Sequence, residues 1–458
     1  MKIIICGAGQ VGTSIASQLA VEHNDVTVID WSAELINRIG KSLDVQGIVG
    51  YASHPDVLDM ADARNADMLI AATLSDEVNM IACQIAHSLF GVQTKIARIR
   101  TQQYIEPQWR DLFSQDNLPI DVIISPEHEV AKAILRRLQV PGAFDAISFA
   151  DGRVQFLGIH IEEDCPLIDT PLSQLTELFP GLAIRILGIR RGEHTIVPSA
   201  GDQMLVGDDV YIVTDTEHRE RTLSAFGHEE SAAQRLIMIG GGNVGLFVAK
   251  ELEEQSSNVN LKIIEASQER AEQIAGNLEK TVILSGDALD SEMLREANVS
   301  MADAVIAVTN DDQVNILASL LAKGEGCERA ITLVSDTVYR PLMSSLGIDV
   351  FIDPRATTVS TILHHVRRGR IRNLHSLPAM GAEVLEVEAM ETSQVVGKSI
   401  LDLELPQGVL FGALVRDDDV IIPRGETVIQ KDDRVILFSL VDQIKKVEQL
   451  FSVQLGYF

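Results

Sequence analysis

Two glycine clusters in this chain have the spacing of a phosphate cradle. Gly7-Ala8-Gly9-Gln10-Val11-Gly12 follows the short apolar run Lys2 to Cys6, and Gly240-Gly241-Gly242-Asn243-Val244-Gly245 follows a similar run 233 residues later. Between a strand and a helix, the first glycine of such a motif makes a tight turn, the second lets the backbone approach a pyrophosphate, and the third packs helix on strand. The amides that open the helix then face the phosphates. Asp30, 18 residues beyond Gly12, and Glu265 end the next apolar runs, where a carboxylate can accept both ribose hydroxyls of an adenosine. A 2′-phosphate would meet like charge there, so the expected ligands are adenine nucleotides and NAD rather than NADP.

Further polar residues fall at the ends of neighbouring runs. Arg98 could reach a phosphate from the opposite side of the crevice; as a surface cation it would join a basic stretch with Lys95 and Arg100. Alignment of the two copies at offset 236 puts Val334 in its place, so the two sites are expected to be chemically unequal. Thr73 and Thr309 can meet a ribose or a nicotinamide, and equally signal a helix start, because Asp76 and Asp312 then stand in the first turn and suit the macrodipole. Asn79 and Asn315, three residues on, are expected to pack rather than to bind ligand. Gly50-Tyr51-Ala52 in the first copy is matched by Gly286-Asp287-Ala288, where Asp287 can bind a ribose, a base edge or a cation, or cap the next helix. A dehydrogenase would need a general acid or base beside a nicotinamide. None stands out: His54 and His128 are isolated, His364 and His365 are adjacent, and HExxH-type metal spacing is absent.

The elements that must position these groups come in a repeat. Thr-x-x-Asp-x-x-Asn recurs at Thr73 and Thr309, so the chain reads as two halves of roughly 230 residues, too long a period for a solenoid. In each half short β-branched runs alternate with helical patterns, which predicts parallel strands with right-handed crossovers. The fold class is therefore α/β: two tandem Rossmann-like doubly wound sheets, each followed by a small α+β module. The expected strands of the first sheet are Lys2 to Cys6, Asp25 to Asp30, Gln46 to Val49, Met68 to Thr73, Lys95 to Ile99 and Val122 to Ile124. The first nucleotide domain spans 1–125, a crossover helix 126–145 and the first small domain 146–214, with strands Arg153 to Ile161, Ala183 to Arg190, His194 to Val197 and Asp209 to Val213 and a short helix Pro171 to Leu178. A polar linker, helical or loose, covers 215–233. The second nucleotide domain spans 234–353, its crossover helix 354–382 and its small domain 383–458.

Composition narrows the class. Of 458 residues 46% are hydrophobic and 23% charged, an ordinary globular balance. The net charge of −28 repels phosphate backbones and anionic membranes, which disfavours nucleic acid. No apolar run reaches the roughly 18 residues of a spanning helix, and no signal-peptide core follows the first methionine, so a cytosolic chain without direct membrane insertion is expected. Cys6, Cys83, Cys165 and Cys327 lack CxxC spacing and read as reduced, structural thiols. Arg367, Arg368, Arg370 and Arg372 read as a solvated helix end, with an anion or partner contact as the alternative.

With two nucleotide folds each trailed by a small module, the CGAGQVG loop, the acids at Asp30 and Glu265 and the doubled Thr-x-x-Asp-x-x-Asn, the chain resembles, over its whole length, the TrkA family of regulatory subunits of Trk-type bacterial potassium uptake systems. The resemblance implies two regulator-of-potassium-conductance units per chain, binding of NAD or NADH and of ATP or ADP, a homotetrameric ring, and docking on the cytoplasmic face of a membrane-embedded potassium transporter of the TrkH or TrkG type. It implies no catalysis. Family contacts carried onto matching positions are Gly7, Ala8, Gly9, Gln10, Val11, Asp30, Thr73, Leu74 and Arg98, then Gly240, Gly241, Gly242, Asn243, Val244, Glu265 and Thr309; Val334 departs from the Arg98 pattern. The alternative is an NAD-dependent oxidoreductase with a duplicated fold.

Overall fold

A computed structural model of the chain describes residues 1–175, 183–229, 232–255, 258–343, 345–348, 350–366 and 371–452. The first unit holds β1 (Lys2–Cys6), β2 (Asp25–Asp30), β3 (Gln46–Val49), β4 (Met68–Ala71), β5 (Thr94–Arg98) and β6 (Val122–Ile124). They pair in parallel in the order β3-β2-β1-β4-β5-β6. Ile3, Ile4, Ile5 and Cys6 are all fully buried, as a central strand covered on both faces requires. The chain reverses its winding direction between β1 and β4, so a crevice opens at the carboxyl ends of those strands, where ligands of such sheets bind.

An antiparallel sheet follows, made of β7 (Asp145–Phe149), β8 (Val154–His160), β9 (Ile184–Arg191), β10 (His194–Ile196) and β11 (Asp209–Asp215) in the order β10-β9-β11-β8-β7. The second half repeats both layers. Its parallel sheet has β12 (Arg235–Ile239), β13 (Asn260–Glu265), β14 (Val282–Ser285), β15 (Ala304–Ala307), β16 (Ala330–Leu333) and β17 (Val350–Ile352), ordered β14-β13-β12-β15-β16-β17. Its antiparallel sheet has β18 (Ile371–Leu377), β19 (Ala382–Glu388), β20 (Val409–Arg416), β21 (Asp419–Ile421) and β22 (Arg434–Leu440), ordered β18-β19-β22-β20-β21.

The crossover helices are exchanged between halves. The first, Pro126–Gln139, begins with Ser125 accepting the His128 N–H and with proline at the first helical position, which lacks the donor that would go unused there. Its apolar face, Val130, Ile134 and Leu138, packs on Leu236, Met238 and Val248 of the second half. The second, Pro354–Val366, lays Val359, Ile362, Leu363 and Val366 on Ile3, Ile5, Ile15 and Leu19 of the first. The Thr361 hydroxyl donates to Glu129 Oε2 at 3.2 Å between the two helices. Each buried aliphatic side chain contributes about 1.5–3 kcal/mol, so each half completes the other's core. The small sheets also share one core, with Phe149, Phe156 and Leu187 against Leu377, Val384 and Phe438.

Several sequence expectations need correction. The stretch 126–145 already contains the start of β7, a strand absent from the reading of the first small domain; Asp145 and Ser148 interrupt its apolar pattern. The 215–233 linker contains the helix Arg219–Ala225, one of the two forms expected there, but Leu223 of that helix and Phe226 after it are buried in the first small domain, so the segment packs as part of that domain and its polar composition describes only the outward face. The crossover helix expected over 354–382 is described over Pro354–Val366, and β18 inside that range belongs to the second small sheet. Of the helix Pro171 to Leu178, Leu172–Gln174 forms a 3-10 turn and the residues after Leu175 lie outside the described residues. Arg367, Arg368 and Arg370 also lie outside them, while Arg372 is a strand residue paired with Glu388 at 2.6 Å. No described helix is long and apolar enough to cross a membrane.

Candidate nucleotide sites

The glycines divide by what the fold asks of them. Gly7 and Gly240 have φ of 110° and 103°, a region that disfavours side chains, and a Cβ on Gly7 would stand 3.0 Å from the Ala72 carbonyl oxygen. A Cβ on Gly12 or Gly245 would overlap the carbonyl oxygen of Gly7 or Gly240, which fixes how closely helix and strand approach. Gly9 and Gly242 differ: a Cβ at either meets nothing within 4 Å, and Gly9 has an ordinary φ of −68°. The protein's own packing therefore gives no reason for glycine at these two positions. A phosphate lying against the loop would. Gln10 and Asn243 open the two helices, with Val11 and Val244 packed behind them.

The acids tie each loop to the neighbouring strand end. Asp30 Oδ2 accepts from the Ala8 N–H at 2.7 Å and Oδ1 from the Ser32 N–H at 2.8 Å. Glu265, one methylene longer, holds the Gly241 N–H at 2.7 Å and the Ser267 N–H at 2.8 Å. A carboxylate offers about four acceptor directions, so each acid keeps capacity for ribose hydroxyls.

Thr-x-x-Asp-x-x-Asn proves to be a backbone staple. Asn79 Oδ1 accepts from the Thr73 N–H at 2.9 Å and from its hydroxyl at 2.7 Å, while Nδ2 donates to the Arg98 carbonyl at 2.8 Å. Asp76 accepts from the Arg100 and Thr101 N–H groups. Asn315 and Asp312 do the same for Thr309, Leu333, Ser335 and Asp336. The motif thus clamps β4 to β5 and β15 to β16 at the crevice, and the aspartates act on a neighbouring loop as well as on their own helix.

These ties correct one equivalence. Asn79 reaches the Arg98 carbonyl where Asn315 reaches that of Leu333, and Ile99 N–H to Ile124 O matches Val334 N–H to Ile352 O. Arg98 therefore corresponds to Leu333 rather than Val334, because the second copy is one residue shorter before β16. The second site still lacks a cation there. Arg98 is partly buried, its Nε makes no hydrogen bond among the described residues, and burial followed by repulsion from Arg100 lowers its pKa. Its neighbour Lys95 is no surface cation: it is 1% exposed, with Nζ on the Val92 and Gln93 carbonyls and on Asp121.

Sequence reasoning named Leu74 but missed the two aromatic residues that stand with it on the rim of the first site. Trp31, directly after the acid, is 69% exposed, Leu74 85% and Tyr51 54%. The Gly50 N–H donates to the Asp30 carbonyl, so Trp31 and Tyr51 leave adjacent strand ends. The second copy has Ala266, Asn310 and Asp287 in these places. The available signal was a tryptophan beside the ribose acid. Asp287 accepts from the Leu289 N–H at 2.9 Å, and Asp290 rather than Asp287 caps the next helix. The histidines do not converge: His54 leans on Tyr51, His128 on Phe247, and His364 on His365. The four cysteines are unpaired and buried, and desolvation pushes the Cys6 thiol up to about 12. Among the described residues no cluster of His, Cys, Asp and Glu could hold a metal ion.

Sheet order, paired cradles and trailing modules define a duplicated nucleotide-binding protein of the Rossmann type. Residues 3–126 and 236–354 match the TrkA-N domain, and residues 157–227 and 384–452 match the TrkA-C domain. The chain belongs to the TrkA family. It is 51% identical over 458 residues to the Trk system potassium uptake protein TrkA of Azorhizobium caulinodans, with 100% of each chain covered. It is 39% identical over 463 residues to that of Halomonas elongata, again covering 100% of each. Among solved structures, the GsuK RCK domain superposes with a TM-score of 0.58 at 18% identity, over 98% of this chain and 94% of that one. The GsuK channel bound to NAD gives 0.58 at 18% identity, over 98% and 78%. At that identity the likeness is one of fold.

Proposed function

We propose that this chain is the cytoplasmic nucleotide-sensing subunit of a Trk-type potassium transporter, regulatory rather than catalytic. It binds NAD or NADH and ATP or ADP and acts as a homotetrameric ring on the cytoplasmic face of a TrkH- or TrkG-type membrane subunit. The observation that carries this reading is the empty space over Gly9 and Gly242, each beside a helix N-terminus and a carboxylate with free acceptor capacity. Gly7 to Gly12, Asp30, Thr73, Leu74 and Arg98 line the first site; Gly240 to Gly245, Glu265, Asp287 and Thr309 line the second. Ring assembly has support in Ile81 and Leu317, equivalent residues on the helices Asp76–Phe90 and Asp312–Gly324, which are 44% and 49% exposed. Docking on the transporter has support in the net charge of −28, since cytoplasmic loops of membrane proteins are rich in Lys and Arg.

The mechanism is a population shift. A nucleotide alters the transporter only through unequal affinity for two ring conformations, and a twentyfold preference supplies about 1.8 kcal/mol per site. Several sites acting together make the bias effective. The exchanged crossover helices are the levers, because each sits on one nucleotide domain and leads into the small domain of the other half. The test is calorimetric titration with NADH, NADPH, ATP and ADP, paired with potassium flux through the reconstituted transporter. NADH, ATP and ADP are expected to bind, NADPH to bind weakly, and ATP and ADP to give different fluxes. Identical flux with every nucleotide, at saturation established by direct binding, would overturn the sensing reading.

A further inference from the structure

We propose that Arg355, carried by the second half of the chain, is a phosphate-contacting residue of the first nucleotide site; the inference rests on the nucleotide reading above. Arg355 is the second residue of the helix Pro354–Val366, whose apolar face is buried on the first sheet. Its N–H donates to Asp353 Oδ1 at 2.8 Å, so its backbone is held at the junction of the halves. Its Nη2 donates to Gln10 Oε1 at 2.5 Å and to the Ser335 carbonyl at 2.9 Å. Gln10 follows Gly9, the position whose missing side chain leaves the cradle open. A cation from one half thus stands at the mouth of the other half's phosphate loop.

Its present partners are both neutral. Among the described residues Arg355 makes no ion pair, and a phosphate oxygen is a stronger acceptor than an amide or a carbonyl. The planar guanidinium can meet a phosphate through two parallel donors. Arg98 would approach from the strand ends and Arg355 from the helix side. The corresponding residue of the first crossover helix is Glu127, a carboxylate bonded to Arg100 Nε at 3.1 Å, so the second cradle receives no cation from its crossover helix; its loop is met instead by Arg270, whose Nε donates to the Gly241 carbonyl at 2.8 Å.

The Ser335 contact gives Arg355 a second consequence. Ser335 follows Val334 at the crevice end of β16, and its N–H is held by Asp312 in the staple of the second site. A guanidinium that turns to a phosphate in the first cradle releases the Ser335 carbonyl at the rim of the second. Occupancy of one site is thereby communicated to the other through one side chain.

The experiment uses full-length protein carrying Gly242→Val, so that binding heat reports the first site, and titrates it with ATP and with NADH at low and high salt. Arg355→Gln is expected to weaken ATP about tenfold or more, in line with loss of a hydrogen bond to a charged group, and to flatten the salt dependence. Arg355→Lys is expected to restore part of the affinity and the salt slope. ATP affinity of Arg355→Gln within twofold of its parent would overturn the proposal. So would a lowered unfolding temperature without ligand combined with no recovery in Arg355→Lys, which marks a packing role. Failure of the parent to bind either nucleotide would instead remove the nucleotide reading on which the proposal stands.

Discussion

In the first cradle the ribose acid, the Thr-Asp-Asn staple and the open space over Gly9 are accompanied by Arg98, Trp31 and Tyr51. The second has the same acid tie, the same staple and the same space over Gly242, yet Leu333, Ala266 and Asp287 stand in the corresponding places. Two of the shared parts, the acid tie and the staple, hold backbone at the strand ends; the third, the open space, is one that the fold itself does not require. The divergent parts are those the fold does not need. On the proposed reading the space for a phosphate is duplicated while the side chains around it differ, with Arg98, Trp31 and Tyr51 at the first cradle and Arg270, whose Nε donates to the Gly241 carbonyl at 2.8 Å, at the second.

Four substitutions bear on this contrast. The largest effect is expected for Gly9→Val, which places carbon where a pyrophosphate would approach, with a Cβ that meets nothing in the protein within 4 Å; nucleotide binding at the first site should vanish with folding intact. Gly242→Val should do the same to the second site alone, and calorimetric stoichiometry checks both. If Gly9→Val binds with unchanged stoichiometry, the empty space is not a phosphate cradle. Arg98→Leu gives the first site the second site's residue and should weaken NADH there by about 1.5–3 kcal/mol, the range for a hydrogen bond to a charged group. Unchanged affinity would make the Arg98–Leu333 difference irrelevant to ligand choice. The smallest effect belongs to Trp31→Ala, again a copy of the second site, which should cost about 0.5–1.5 kcal/mol if the indole lies against the adenine. Quenching of Trp31 fluorescence by NADH, read against the other tryptophan, Trp109, would report that contact directly; no quenching on saturation removes Trp31 from the site.

The glycine loops, the acids and the alternating strands were legible in the sequence because each depends on neighbours only a few residues away. Buried parallel strands such as Ile3-Ile4-Ile5 announce themselves as short apolar runs. What escaped depends on distant partners. Asp145, at the start of β7, looks like a loop residue until Arg137 and His375 are seen around it, and their charges hold its carboxyl well below the usual carboxylate range despite burial. His375 in turn hides β18, whose Arg372 and Asn373 imitate a helix end. The match of Arg98 to Val334 slipped by one residue because a loop shortened, which only the hydrogen-bond ladder reveals. The exchange of crossover helices is silent in the sequence, since the apolar face of Pro126–Gln139 would fit either sheet. Arg355 was invisible as a site residue because Gln10 lies 345 positions away.

That exchange also bears on why the duplication is fused. A symmetric dimer of one half would place the same crossover residue over both cradles, because a twofold axis repeats every contact. One chain is free of that constraint and carries Arg355 at one cradle and Glu127 at the equivalent position. The covalent link also makes pairing of the halves intramolecular, with an effective concentration of order millimolar for a short tether, so the complete unit persists under dilution that would separate independent subunits. Each chain is thereby a matched, unlike pair, and sorting of two kinds of half is accomplished by the peptide bond.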